Sequence, residues 1–132
     1  MLTVAIIDGN AISRNLLGTV LTNGGYDVVA DANTSSAGFA RIIKLRPQIV
    51  CIDTGPVESD AAMLMLDTIR DALPKTIIFM VSGNMNAATV QSALQRGVQG
   101  FIVKPFNSAT VLTTIRNAVL KFAKQQREDA PE

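Results

Sequence analysis

This chain of 132 residues lacks several residue types, and each absence excludes a class of chemistry. It contains no histidine, which excludes zinc sites with imidazole ligands and catalytic triads that need a histidine base. Its single cysteine, Cys51, cannot form an internal disulfide, so a reducing, cytoplasmic setting is expected. Its net charge of +1, from 12 Lys and Arg against 11 Asp and Glu, is too small to indicate a nucleic-acid-binding protein.

The sequence also lacks a hydrophobic run suited to a membrane or a secretory signal. The longest stretch without a charge, Thr76 to Gln95, is interrupted by many polar side chains. Hydrophobic residues make up 48% of the chain and charged residues 17%, which excludes intrinsic disorder and favours strands buried on both faces. We therefore expect one globular domain that does not associate with membranes.

Short apolar runs alternate along the chain with longer segments of helical periodicity. The runs predict five strands, at Thr3–Ile7, Val28–Ala32, Gln48–Ile52, Thr76–Val81 and Gly100–Val103. The segments between them predict a first helix that carries Ile12 to Leu21 and stops at Gly24-Gly25, and a second marked by Phe39, Ile42 and Ile43 that ends at Arg46-Pro47. Two more helices are predicted over about 60–73 and 86–96, and a fifth begins after Pro105. The expected caps are Thr34 or Ser35 for the second helix and Asn107 or Ser108 for the fifth. The apolar face of the first helix comprises Ile12, Leu16, Leu17, Val20 and Leu21.

Five strands alternating with five helices are typical of a doubly wound α/β sheet, which we assign to residues 1–124. The polar tail, Gln125–Glu132, is expected to fray. Ligands of such sheets bind beyond the carboxyl ends of the strands, where this chain places polar residues: Asp8, Asp53, Ser82 and Lys104. Two carboxylates favour a hard cation such as Mg²⁺, and a hydroxyl and an ammonium suit the oxygens of a phosphoryl group.

Four stretches of the chain resemble the receiver domain of the bacterial response regulators. They are Val4-Ala5-Ile6-Ile7-Asp8 with Arg14 six residues on, Pro47 to Asp53, Ile77 to Gly83, and Gly100-Phe101-Ile102-Val103-Lys104-Pro105-Phe106. The likeness extends from Thr3 to about Lys124. It implies a flavodoxin-like fold with strand order 2-1-3-4-5 and a signalling role in a two-component phosphorelay, without enzymatic activity of its own.

The resemblance implies a role for the acidic residues. Asp53 corresponds to the phosphoacceptor, whose carboxylate attacks a phosphoryl donor and becomes an acyl phosphate. Asp8, Asp53 and the backbone carbonyl of Gly55 correspond to the Mg²⁺ ligands. The second acid that the family has beside Asp8 is Gly9 here, so we expect Mg²⁺ to bind weakly.

The resemblance also implies a switch and two kinds of partner. Ser82, Lys104 and Phe101 correspond to the residues that contact the phosphoryl group and change the surface. The implied donor is a histidine kinase or a phosphotransfer protein. The implied output surface, on the fourth helix, fifth strand and fifth helix, would bind a downstream protein or a second copy of the chain. The exposed residues expected on this surface carry little charge, which favours a protein partner over DNA. They are Met85, Asn86, Thr89, Gln91 and Gln95.

The same residues have structural interpretations. Asp8 is suited to capping the first helix, and capping is favoured for Asn10 over replacement of the missing acid by its amide oxygen. Ser82 suits an ordinary turn, Phe101 an ordinary core position, and Cys51 an inert buried position.

Two functions therefore stay open. One is a receiver phosphorylated on Asp53, and the other is a degenerate receiver, an interaction module that works without phosphorylation because Gly9 removes a metal ligand. A haloacid-dehalogenase-type phosphatase is disfavoured, because it needs an acid two residues after its nucleophile, where Asn10 and Gly55 stand.

Overall fold

The computed structural model describes residues 1–53 and 60–129, and within them five strands alternate with five helices. The strands are β1 (Thr3–Ile7), β2 (Asp27–Ala32), β3 (Ile49–Ile52), β4 (Ile77–Ser82) and β5 (Gly100–Val103). The helices are α1 (Ala11–Asn23), α2 (Ser36–Leu45), α3 (Asp60–Ala72), α4 (Ala87–Gln95) and α5 (Ser108–Asp129). The strands pair in parallel in the order β2-β1-β3-β4-β5, which confirms the predicted fold class.

Successive residues of each strand point to opposite faces of the sheet and supply two cores. In β1, Val4 and Ile6 face the core shared with α1 and α5, whereas Ala5 and Ile7 face the core shared with α2, α3 and α4. Because both faces are covered, the central strands consist almost entirely of buried apolar residues. Because the strands are parallel, their carboxyl ends lie at one edge of the sheet, in a register fixed by the pairing.

Side-chain caps fix where the helices begin. Asn10, Ser35 and Asn86 are N-cap residues whose side-chain oxygens accept hydrogen bonds from backbone N–H groups of the first turn. Asn107 accepts from the N–H of Thr110 at the start of α5. Capping, the favoured interpretation of Asn10, is thus confirmed.

The predicted apolar face of α1 is only partly buried. Leu17, Val20 and Leu21 pack on the sheet, but Ile12 is 80% exposed and Leu16 is 53% exposed. Leu16 is rotated by about 100° from Leu17 around the helix axis, and this rotation turns it away from the sheet. Of the five residues predicted to share an apolar face, Ile12 and Leu16 therefore do not pack on the sheet.

Other expectations had mixed outcomes. Thr89 was expected on the exposed surface of α4 but is buried, and its hydroxyl donates to Asn86 Oδ1. Helix α5 continues to Asp129, so the first residues of the predicted tail are helical. Cys51 is buried as predicted, and burial raises the pKa of its thiol to about 12. No helix in the described part of the chain is long and apolar enough to cross a membrane.

Substitution of glycine by alanine is expected to have opposite effects on stability at two positions, Gly18 and Gly100. Gly18 lies inside α1, where a Cβ would meet Ile6 Cδ1 at an ordinary 3.7 Å, so Gly18→Ala should raise the free energy of unfolding by about 0.5–1 kcal/mol. Gly100 pairs with Phe79 in the sheet, and a Cβ there would lie 2.6 Å from the Phe79 ring. Gly100→Ala should therefore lower that free energy by about 1–3 kcal/mol. Urea denaturation measures both, and equal effects of the two substitutions would contradict this packing.

Candidate functional site

Backbone hydrogen bonds position the site residues by extending the sheet one residue past each strand. The N–H of Asp53, directly after β3, donates to the carbonyl of Ile7 in β1 at 2.8 Å. The N–H of Lys104, directly after β5, donates to the carbonyl of Ser82 in β4 at 2.9 Å. Asp8, directly after β1, makes the same kind of bond to β2. The sheet therefore fixes the backbone positions from which the side chains of Asp8, Asp53 and Lys104 extend.

The structure joins three of the predicted site residues by a double ion pair. Lys104 Nζ lies 2.9 Å from Asp8 Oδ2 and 2.5 Å from Asp53 Oδ2. Both carboxylates are buried, and the ammonium is partly so. Burial alone lowers the pKa of Lys104, but its hydrogen bonds to Asp53 and Asp8 and their negative charges outweigh that effect, so the pKa is raised.

Asp8 is held at several atoms. Its Oδ1 accepts from the N–H of Asn10 at 2.8 Å, and its backbone carbonyl accepts from Arg14 Nη1 at 2.7 Å. The helix cap is Asn10, whose Oδ1 accepts from the N–H groups of Ile12 and Ser13, so the idea that Asp8 caps α1 was wrong. This bond of Arg14 was not predicted from the sequence, although Arg14 lies only six residues after Asp8, at the end of β1.

The remaining predicted residues lie nearby in different environments. Ser82 is buried at the end of β4, and its Oγ accepts from the N–H of Asn84 at 3.1 Å, as in an ordinary turn. Phe101 is partly buried against the core shared with α2, α3 and α4. Gly55 lies outside the described residues. The turn contact of Ser82 and the position of Phe101 are compatible with both interpretations of these two residues.

The donors at this edge fit Mg²⁺ in chemical type. Asp8 and Asp53 bring two carboxylates to one ammonium, and carboxylate oxygens are the ligands that hard divalent ions prefer. No group of three or more acidic or other ligand residues suited to a metal occurs in residues 1–53 and 60–129. At Gly9, beside Asp8, a Cβ would meet no atom within 4 Å, so there is room for a further side chain.

The strand order and the polar residues at the strand ends define a CheY-like α/β protein. The family described as response regulator receiver domain matches residues 4–116 of the chain. The chain belongs to this family and is a receiver domain of two-component signalling. Receiver domains are typically non-catalytic signalling modules that generally bind Mg²⁺, and membership implies a histidine kinase partner.

Curated relatives agree with this assignment, and a solved structure agrees with the fold. Chemotaxis protein CheY of Thermotoga maritima is 29% identical over 115 residues, which cover 85% of this chain and 92% of that protein. Nitrogen assimilation regulatory protein NtrX of Azorhizobium caulinodans is 30% identical over 126 residues, covering 95% of this chain and 27% of that protein. The structure of chemotaxis protein CheY4 of Vibrio cholerae matches the fold with a TM-score of 0.76 at 23% identity, covering 89% of this chain and 98% of that one.

Removal of the Lys104 ammonium should destabilise the domain. In EDTA at neutral pH, Lys104→Met is expected to lower the free energy of unfolding by about 1–3 kcal/mol, because two buried carboxylates lose their counter-charge. The pKa of Lys104 is raised by folding, so its contribution is fully present below the pKa of the unfolded chain. It is lost as the pH rises through the folded-state pKa.

The difference between the two proteins should therefore shrink in strongly alkaline solution, as measured by urea denaturation over a series of pH values. Lys121→Met, on the exposed surface of α5, serves as the control. A Lys104→Met difference that stays constant up to the most alkaline pH would contradict this account.

Proposed function

We propose that this receiver domain accepts a phosphoryl group on Asp53 from a histidine kinase or a phosphotransfer protein. The observation that carries the proposal is the double ion pair, because it places one ammonium against Asp8 and Asp53 at the sheet edge. When such a buried carboxylate attacks a phosphoryl group, the cation beside it is in position to bind the negatively charged phosphoryl oxygens. Residues 1–124 would form the signalling unit, in a cytoplasmic setting.

The reaction is a transfer between two side chains. A carboxylate oxygen of Asp53 forms a bond to the phosphorus of a phosphohistidine, and the bond from phosphorus to the histidine nitrogen breaks. The nitrogen keeps the electron pair and takes up a proton from water. Lys104 then moves from a carboxylate oxygen of Asp53 to an oxygen of the acyl phosphate, and the Ser82 hydroxyl turns from Asn84 toward another.

Asp8 and Asp53, with the Gly55 carbonyl, would hold Mg²⁺. The ion, when bound, offsets the repulsion between the carboxylates and the phosphoryl oxygens. Gly9 contributes no charge where the family has an acid, so we propose weak binding. Lys104 already shares both carboxylates and would have to yield part of its contact with Asp8.

The exposed apolar residues of α1 suit the approach of a donor protein. Ile12 and Leu16 lie on the helix that begins three residues after Asp8. A phosphohistidine reaches Asp53 only if its own protein contacts the surface around this edge. Covering two exposed aliphatic side chains would favour that contact by up to about 1.5–3 kcal/mol each. We propose the exposed face of α1 as the site of that contact.

We propose the surface of α4, β5 and α5 for the output, with Phe101 as the residue that changes position. The exposed apolar side chains Leu94 on α4 and Val103 on β5 support a protein partner or a second copy of the chain. One observation favours the alternative, a degenerate receiver: the absent acid at Gly9 leaves fewer ligands for a cation.

Substitution of the acceptor distinguishes these functions. Asp53→Asn keeps the shape of the side chain and removes the nucleophile, so phosphoryl incorporation from a small phosphodonor with Mg²⁺ should be abolished while the protein stays folded. Intact-mass spectrometry measures incorporation, and Asp71→Asn on the exposed surface of α3 is the matched control that should retain it. Incorporation into Asp53→Asn at the original level would exclude Asp53, and none in either protein would favour the degenerate receiver.

Restoring the missing acid should tighten metal binding. Gly9 has open space and is not among the residues with positive φ, so Gly9→Asp fits without strain. We expect Mg²⁺ affinity to rise about ten- to hundredfold, because an added carboxylate near a divalent ion is worth on the order of 1–3 kcal/mol. Without metal, the variant should be less stable than the natural chain, because its carboxylates repel one another. Calorimetry with Gly9→Asn as the uncharged control tests this, and equal affinity in all three proteins would place position 9 away from the metal.

A further inference from the structure

Helix α4 buries little apolar surface against the sheet. Its buried residues are Thr89 and Ala93, both small. Each of the other helices contains at least one fully buried leucine or isoleucine: Leu21 in α1, Ile42 in α2, Leu66 in α3 and Ile115 in α5. Since burial of a large aliphatic side chain is worth about 1.5–3 kcal/mol, hydrophobic contact holds α4 less firmly than the other helices.

Side-chain contacts with α3 supply the missing anchorage at one end of α4. Arg96, directly after the helix, donates from Nη1 to Asp67 Oδ2 at 2.5 Å. One turn earlier, Ser92 Oγ donates to Met63 Sδ at 3.4 Å. The residues are four apart on each helix, so the two contacts stack along one line.

A third contact extends this line into the turn after α4. Arg70 Nη2 donates to the Gly97 carbonyl at 2.7 Å and to Gln99 Oε1 at 3.0 Å. Gln99 Oε1 also accepts from the N–H of Ile78, which connects the turn to β4. Gly97 has a φ of +89°, and a Cβ there would lie 2.7 Å from Arg70 Nε, so the guanidinium and the turn fit closely only with glycine.

We propose that these contacts form an α3–α4 latch that fixes the C-terminal end of α4 and leaves the N-terminal end as the one that pivots. The latch comprises Met63, Asp67 and Arg70 on α3, and Ser92, Arg96 and Gly97 on the α4 side. The pivoting end follows Ser82 in the chain, and the Ser82 carbonyl accepts from the N–H of Lys104, the lysine of the double ion pair. That the pivot transmits phosphorylation of Asp53 rests on the proposed function, whereas the latch itself is a property of the unmodified protein.

Amide hydrogen exchange of the unmodified protein, followed by NMR, tests the latch. Because the first amides of any helix lack an intrahelical acceptor, exchange rates are compared at the same residues in the natural chain and in its variants. Arg96 and Asp67 are 33% and 42% exposed, so Arg96→Ala should accelerate exchange at residues 92–97 by about two- to fivefold. The charge reversal Asp67→Arg with Arg96→Asp should restore it. Lys121→Ala on α5 is the control and should leave α4 unchanged.

Two results would overturn the latch. One is unchanged exchange at residues 92–97 in Arg96→Ala, and the other is an Arg96→Ala effect spread evenly over all helices, which would indicate a contribution to global stability alone. Beryllofluoride with Mg²⁺, a phosphoryl analogue, then tests the transmission. Its binding should change the NMR signals mainly of the first turns of α4 in the natural chain, and of the whole helix in Arg96→Ala. If it perturbs nothing in either protein, the proposed phosphorylation fails while the latch stands on the exchange data.

Discussion

The contact of one lysine ammonium with two buried carboxylates is the constraint on which the functional edge depends. Lys104 and Asp8 are 96 positions apart in the chain, and only the strand order brings them together. Neighbouring strands lie about 5 Å apart, so a side chain after β5 must cross the end of β4 to reach β3. The long aliphatic stem of lysine makes that crossing possible, and the small Ser82 at the end of β4 leaves it open.

The two-sided core explains why this edge is so well defined. Each central strand alternates between the α1–α5 face and the α2–α3–α4 face, so a slip by one residue would exchange two packed sets of side chains. The apolar residues therefore fix the strand register, and this register determines where the polar residues at the strand ends lie. In β2, which lies at the sheet edge, Val29 is the extra residue of an irregularity in the pairing with β1. The site draws no residue from that strand.

Much of this architecture could be predicted from the sequence, because its determinants are local. Solid Val- and Ile-rich runs gave the strands to within a residue or two, and the strand-end positions of Asp8, Asp53 and Lys104 followed from them. The exposure of Ile12 and Leu16 could not be predicted, since periodicity describes a helix face without saying how much of it the sheet covers. The burial of Thr89 and the ion pair between Asp67 and Arg96 depend on how α4 lies in the fold, which no local pattern encodes.

The charge balance at the edge links two consequences of Gly9 that would otherwise look opposed. Asp8 and Asp53 carry two negative charges, and Lys104 returns one, so the cluster is less negative than one with a further acid at position 9. A less negative cluster attracts a divalent cation less strongly, but it also repels an incoming phosphoryl group less. Weak metal binding and a weak requirement for metal are therefore expected together, from one substitution. The absence of that acid by itself argues against tight Mg²⁺ binding, and it is a poor argument against a phosphoacceptor that retains its lysine.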